Sequence, residues 1–335
     1  MELSGFVDLQ VNGYSGINFS DAELTLAQVA TAARLLARRG TLGFCPTVIT
    51  SPPETYRRVL PLLSEAICHP HQLNEEQKST LFGIHLEGPF ISPQEGAVGV
   101  HPRQYTHLPS IGLFDELYAL SGGQVALLTL APELPGALDL IQHASDLGVA
   151  VSIGHTLADA QTIRDAVNAG ARLSTHLGNG CPNLIHRHYN PIWPQLAAPE
   201  LTAMLITDGH HLPGEVIAAM LAAKGPEHVI VTSDSAPAAG CPPGEYAFFG
   251  TRVLLESCGR LRNLERDTLA GSSATMIDCM NFLAGLNLLS EGDLWQVGRD
   301  NPLAVLGKTA ASLPGGIVSL ASGKFQLQDE GETCK

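Results

Sequence analysis

A closed parallel barrel of alternating strands and helices, the (β/α)8 architecture of the TIM type, is the fold class predicted for these 335 residues. Eight short apolar runs bounded by Gly or Pro are spread along the chain, and helical patterns fill most of the gaps between them. Glu87, His155, His176 and Asp234 each end a separate run. Eight parallel strands close a barrel, and their C-terminal ends converge on one face. Residues distant in sequence would therefore meet in one pocket.

The runs are, in order, GFVDLQVNG from Gly5, GTLGFCPTV from Gly40, LFGIHLEGP from Leu81, QVALLTLAPE from Gln124, GVAVSIGHT from Gly148, ARLSTHLGN from Ala171, TAMLITDGH from Thr202 and HVIVTSDSA from His228. Short continuous apolar runs of this kind suit strands buried on both faces. Between the first two, Ser20 with Glu23 reads as a capping box, and Val29, Ala33 and Leu36 recur at helical spacing until Gly40 stops the helix. Thr156 with Asp159 repeats the device, and Ile163 and Val167 carry the inner face to Gly170.

Two stretches depart from the alternation. Residues Gly178 to Pro199 hold too much Pro, Asn and Gly for a long helix and read as a loop on the active face. Residues 242–270 open with Pro242-Pro243-Gly244, continue into alternating runs such as TRVLLES, and read as a β-hairpin insertion. The expected organisation is one barrel over 1–320 followed by a short tail over 321–335, and the stretch GGIVSLASGKFQLQDEGETCK from Gly315 reads as one or two short strands followed by a frayed polar end.

Thirty-three acidic against 19 basic residues give a net charge of -14, with no basic run. Such a chain repels polyanions, so nucleic acid is excluded as a partner. The start MELSGFVDLQ has no basic region followed by an apolar stretch, and no later segment approaches the length of a membrane span. Seven scattered cysteines, none spaced C-x-x-C, read as free thiols of a reducing compartment. The expectation is a cytoplasmic protein that handles a small molecule and contacts no membrane; a homo-oligomer stays open.

Imidazole and carboxylate are ligands for a divalent ion. A lone buried His is more often a core residue. Correspondence of His155 and His176 at successive strand ends, with Glu87 on a third, reverses that preference. Three ligands leave an open position for a water, the arrangement of a catalytic zinc. Asp234, on the last strand, then reads as the general base that takes the water's proton and returns it to the leaving group. His101 and His211 lie on active-face loops and could bind a hydroxyl or polarise a carbonyl. In the first run Asp8, Gln10 and Asn12 alternate along D-L-Q-V-N. Many metal hydrolases place two histidines there, and amides are poor zinc ligands, so one metal ion, zinc, is expected.

The series G-F-V-D-L-Q-V-N-G at Gly5, H-L-E-G-P-F at His85, T-L-A-P-E at Thr129, S-I-G-H-T at Ser152, T-H-L-x-N at Thr175, D-G-x-H at Asp208, V-T-S-D at Val231 and L-A-G-S-S-A-T-M at Leu269 resembles the N-acetylglucosamine-6-phosphate deacetylases of the amidohydrolase superfamily. The likeness runs from about residue 5 to beyond 310. It implies removal of an acetyl group from a sugar amine, a metal held by Glu87, His155 and His176, and a proton shuttle at Asp234. It also implies substrate contacts at Val100, His101, Asn179, Gly180, Arg187, His211, Leu269, Ala270 and Gly271. The family's Gln-x-Asn form goes with a single-metal site, in agreement with Gln10 and Asn12. The chain departs from the family in T-H-L-G-N-G-C, where T-H-L-x-N-A-M is usual, and in the His186 and His188 that flank Arg187, the candidate phosphate ligand. Because it begins at the first barrel strand, the family's small accessory β-sandwich is expected to be absent or reduced to the tail. The competing readings are another N-acyl or cyclic amide as substrate, a non-catalytic sugar-binding protein, and a metal-independent barrel isomerase.

Overall fold

Every one of the eight apolar runs forms a strand in the computed structural model, which describes residues 3–73, 78–266 and 268–328. They are β1 Phe6–Val11, β2 Thr41–Ile49, β3 Ile84–Glu87, β4 Val125–Leu130, β5 Ala150–Ile153, β6 Leu173–Ser174, β7 Thr202–Ile206 and β8 Val229–Thr232. Each pairs in parallel with the next, from β1 through to β8. A helix follows each strand: Leu26–Arg38, Pro53–Cys68, Ile111–Leu120, Ala137–Asp146, Ala160–Ala169, Ile192–Ala197, Gly214–Lys224 and Met276–Gly285. This is a nearly closed (β/α)8 barrel.

Two layers of apolar side chains explain why the runs are continuous rather than alternating. Val7, Leu9, Cys45, Leu127, Leu173, Met204 and Ile230 fill the lower barrel interior. Their strand neighbours Phe44, Leu86, Leu128 and Val151 pack outward against the helices, with Val29, Leu60, Leu140 and Ile163. Burying both faces is what demands apolar residues at successive positions.

The helix starts differ from the sequence expectation. The first helix begins at Leu26 and is capped by Thr25, whose hydroxyl accepts from Gln28 N while the Gln28 side chain answers to the Thr25 backbone. Ser20 instead accepts from Ile49 N at the end of β2. Likewise Asp159 caps Ala160–Ala169, accepting from Thr162 N at 2.8 Å, and Thr156 donates to Glu133. In both places the expected cap is spent on tying one active-face loop to a neighbouring element, and the next competent side chain takes over.

The excursion near 242–270 is a three-stranded antiparallel sheet, Gly244–Phe248, Thr251–Leu255 and Leu261–Asn263, rather than a two-stranded hairpin. The long loop after His176 extends to Asn190, and a short helix, Ile192–Ala197, closes it. Val318–Ala321 and Lys324–Leu327 form a terminal hairpin that bridges back to Ser4. The polar end from 329 lies outside the described residues.

The seam between β1 and β8 lacks a backbone ladder; its one bridge, among the described residues, joins Val11 to Ser235. β1 also carries an irregularity. Asp8 faces Phe44 and Val11 faces Pro46, so β1 has one residue more than β2 over that interval. A bulge of this kind breaks the two-residue alternation. Leu9 consequently faces the lower core while Gln10 and Asn12 reach the upper pocket, and Asp8 turns to β8. The simple alternation of Asp8, Gln10 and Asn12 read from the sequence does not survive the bulge.

Candidate active site

Three strand ends deliver three lone-pair atoms to one point. Glu87 Oε1 lies 3.0 Å from His155 Nε2 and 3.1 Å from His176 Nε2, and the two Nε2 atoms are 3.1 Å apart. All three residues are buried. The chain turns sharply at each of these ends: His155 has φ 51°, His176 φ 32° and Asp234 φ 51°, while after Glu87 the turn falls on Gly88 at φ 90°. Left-handed conformations in non-glycine residues cost on the order of 1 kcal/mol or more each. They aim the side chain that ends each strand into the barrel mouth.

The imidazole protons can be placed from their partners. His155 Nδ1 is 2.6 Å from the Ala97 carbonyl, which can only accept, so Nδ1 carries the hydrogen and Nε2 presents its lone pair. That lone pair faces the Glu87 carboxylate and a second imidazole nitrogen, an arrangement that repels itself unless a cation sits among them. Glu87 Oε1 keeps its geometry through Gln10 Nε2, which donates to it at 2.9 Å. Burial works against the Glu87 charge, but the imidazoles of His155, His176 and His101 around it outweigh that and hold the carboxyl well below its usual range. Two imidazole nitrogens and a carboxylate oxygen, buried and convergent, fit a divalent ion, with a backbone carbonyl orienting one ligand from behind.

Asp234 follows β8, beside the end of β1. Its Oδ1 accepts from Asn12 Nδ2 at 2.7 Å. Burial, and then the Glu87 charge, push its carboxyl up to about 8. His101, on the loop after β3, faces Glu87 Oε2 at 3.9 Å and packs edge-on against His155 with ring centres 4.4 Å apart. Thr50 N donates to His101 Nδ1 at 3.3 Å. Nδ1 is therefore an acceptor, and Nε2 carries the hydrogen that points into the site. Burial, and then His155, lower the imidazole to about 3, so it stays neutral.

His211 is held by Asp208: its Nδ1 lies 2.8 Å from Asp208 Oδ2, which also accepts from Ser272 Oγ at 2.7 Å. Burial opposes the Asp208 charge, but the His211 hydrogen bond keeps it well below the ordinary carboxylate range. Ser272 N in turn donates to the Asp234 carbonyl at 2.9 Å.

The other sequence candidates divide. Gly180 stands against the ligands: a Cβ there would lie 2.9 Å from His176 Cε1. The neighbouring Asn179 has a buried Nδ2 without a partner. Gly271, at φ 71°, packs on the Asp234 carbonyl, where a Cβ would approach to 3.1 Å. Ala270 is buried beside it, donating its backbone N–H to Leu261, and Leu269 bridges to Arg262. Val100 and His101 line a cleft of about 640 Å³ that opens beneath the antiparallel sheet. Arg187 is different: it is exposed on the 178–190 loop, where its carbonyl accepts from Trp193 Nε1 at 2.8 Å. His186 Nδ1 accepts from the backbone of His188 and Tyr189, and so is occupied in shaping that loop.

Sequence reasoning missed a buried layer beneath the site. Ser152 donates to Thr175, Thr175 to Thr129, and Thr129 to His85 Nε2, while His85 Nδ1 donates to the Leu9 carbonyl; the four contacts measure 2.5, 2.7, 2.7 and 3.0 Å. The signal was present, since His85 precedes Glu87 by two residues on one strand and must share its face. Thr50 was passed over because it acts on His101 from another element, and Asp8 and Asp208, though present in the sequence motifs, were given no role.

No family model matches the chain. Individual relatives do. It is 33% identical to N-acetylglucosamine-6-phosphate deacetylase from Bos taurus over 313 residues, covering 90% of this chain and 74% of that protein. The enzyme of the same name from Bacillus subtilis is 32% identical over 312 residues, with 91% and 75% covered. Among solved structures, a mutant N-acetyl-D-glucosamine-6-phosphate deacetylase from Mycobacterium smegmatis, in complex with N-acetyl-D-glucosamine-6-phosphate, superposes with a TM-score of 0.83 at 27% identity, over 96% of this chain and 86% of that one. The chain belongs to the N-acetylglucosamine-6-phosphate deacetylase family of the amidohydrolase superfamily.

Proposed function

We propose that this protein hydrolyses the acetamide of N-acetylglucosamine 6-phosphate, giving acetate and the free amine. The observation that carries the reading is the convergence of Glu87 Oε1, His155 Nε2 and His176 Nε2 at 3.0–3.1 Å on the face where Asp234 also ends a strand. These three atoms would hold one divalent ion, zinc. Bound there, it would acidify a water and polarise the acetyl carbonyl.

The chain's own residues supply the rest. Asp234, steadied by Asn12, accepts a proton from the attacking water and delivers it to the amine nitrogen as the C–N bond breaks. His101 donates through Nε2–H to the carbonyl oxygen as negative charge develops on it, because Thr50 fixes the tautomer with the hydrogen on that side. His211, oriented by Asp208, and the unpartnered Asn179 Nδ2 bind the sugar. Val100, Gly180, Leu269, Ala270 and Gly271 shape the walls. Arg187 would meet the phosphate, to which its planar fork is suited. The 1–320 barrel with its inserted sheet and short tail is proposed as one catalytic unit, and a cytoplasmic setting is supported by the cysteines, of which all six among the described residues are unpaired.

A second reading, a phosphate-free N-acyl substrate, is favoured by one observation: Arg187 lies exposed between histidines, one of which is engaged in the loop itself. Acetate release from N-acetylglucosamine with and without the 6-phosphate separates the two. A kcat/KM at least tenfold higher for the phosphorylated sugar supports the first; equal values or the reverse order establish the second.

A further inference from the structure

From the β1–β8 seam we infer that Asp8 is a positioning residue for Asp234, holding the proposed general base through the strand end on which it sits. The inference rests on the assignment of Asp234 as that base.

The seam is where the barrel closes without a ladder, and there the Asp8 side chain does what backbone pairing does elsewhere. Oδ1 accepts from Thr232 Oγ1 at 2.6 Å and from Ser233 N at 3.2 Å; Oδ2 accepts from Ser233 Oγ at 2.5 Å and from the same Ser233 N at 3.4 Å. Oδ1 also takes the bulge amide of Gln10 N at 3.2 Å, which the broken alternation leaves without a strand partner. Ser233 Oγ passes the constraint on, since it accepts from Ser235 N at 3.1 Å. Residues 233 and 235 are thus both tied to Asp8, directly or through one hydroxyl, and Asp234 lies between them at φ 51°.

A left-handed non-glycine residue relaxes unless its surroundings over-determine it. Further ties reach the turn, from Asn12 N and Gly13 N to the Ser235 carbonyl and from Ser272 N to the Asp234 carbonyl. Thr232 is also held by its register with Ile206 on β7, but none of these ties reaches Ser233, the residue by which Asp234 enters the turn. Asp8 is fully desolvated, with 1% of its surface exposed, and it touches neither the ligand triad nor the pocket. A buried carboxylate that touches no ligand needs a structural return, and its donors are the last residue of β8, the residue after it and its own bulge.

The test is a double-mutant cycle on the metal-loaded full chain, reading kcat, KM and metal content. Asp8→Ala is expected to bind one metal equivalent and to keep KM within about threefold, while kcat falls tenfold or more. Asp8→Asn, which can keep the Oδ1 contacts and turn its amide toward Ser233 Oγ, is expected to recover most of that loss. In an Asp234→Asn background, Asp8→Ala should lower the residual turnover by less than twofold, because the base it positions is already gone. Should Asp8→Ala not fold, Ser233→Ala, which removes the hydroxyl linking Asp8 to Ser235, carries the same cycle. A folded Asp8→Ala (or Ser233→Ala) enzyme with wild-type kcat, or an equal fold-loss in both backgrounds, overturns the inference. Normal turnover in Asp234→Asn alone would instead overturn the assignment of the base.

Discussion

Replacing Asp234 by Asn separates two consequences of one buried carboxylate. The amide keeps an oxygen for Asn12 Nδ2, now 2.7 Å from Oδ1, so the side chain has a reason to stay in place. It cannot accept a proton. Removal of a general acid/base lowers turnover by about 10² to 10⁴, and two decades correspond to about 2.7 kcal/mol of barrier. Steady-state acetate release should therefore fall at least a hundredfold with metal content unchanged. The second consequence concerns stability. Burial, and then Glu87, raise the folded Asp234 carboxyl to about 8, against about 3.9 for an unfolded one. Between those values the folded state binds the extra proton, so the metal-free wild type loses stability as pH rises from about 4 to about 8. Asn has no such titration. Thermal melts of metal-free protein should show the mutant's Tm advantage growing across that window, by an amount on the order of a few kcal/mol in stability. A difference that stays flat with pH, or near-normal kcat, would refute the reasoning.

Other perturbations probe the remaining parts. Gly180→Ala places a methyl 2.9 Å from His176 Cε1 at a backbone φ of 60°, and should weaken metal retention measured by competition with a chelator, with Ser or larger residues worse. Thr50→Val removes the hydroxyl 3.0 Å from His101 Nδ1 while leaving the backbone donor; kcat should fall by about tenfold or less, consistent with loss of one neutral hydrogen bond of about 1 kcal/mol, and a hundredfold loss would mean Thr50 acts directly. Arg187→Ala should raise KM for the 6-phosphorylated sugar far more than for the unphosphorylated one, since a charge-assisted contact contributes about 1.5–3 kcal/mol; equal effects would remove Arg187 from phosphate recognition.

The barrel was legible because its strands are buried on both faces, which leaves runs such as HVIVT and AMLI with little alternative, and because the polar residue ending each run could then be assigned to one mouth. Glu87, His155 and His176 meet as their strand positions required. Local devices were harder. Ser20 and Thr156 are good caps by type, yet each serves a neighbouring loop, a choice made by tertiary contacts that the sequence window does not contain. The bulge in β1 was hidden for a related reason: alternation in D-L-Q-V-N looks regular, and only the pairing of Asp8 with Phe44 and Val11 with Pro46 exposes the extra residue. Thr50 fixes which His101 nitrogen carries hydrogen from another strand end, an effect with no pattern in the chain, whereas Asp208 orients His211 from three residues away, inside the D-G-x-H motif itself.

The central claim is that Glu87, His155 and His176 hold one catalytic metal ion. Purified protein stripped with a chelator and titrated with zinc tests it most directly, with acetate release from N-acetylglucosamine 6-phosphate followed at each addition. Activity should be lost on stripping and return linearly to a plateau at one equivalent, and His176→Ala should fail to recover under the same titration. Activity that survives stripping, or a plateau that needs two equivalents, would contradict the account.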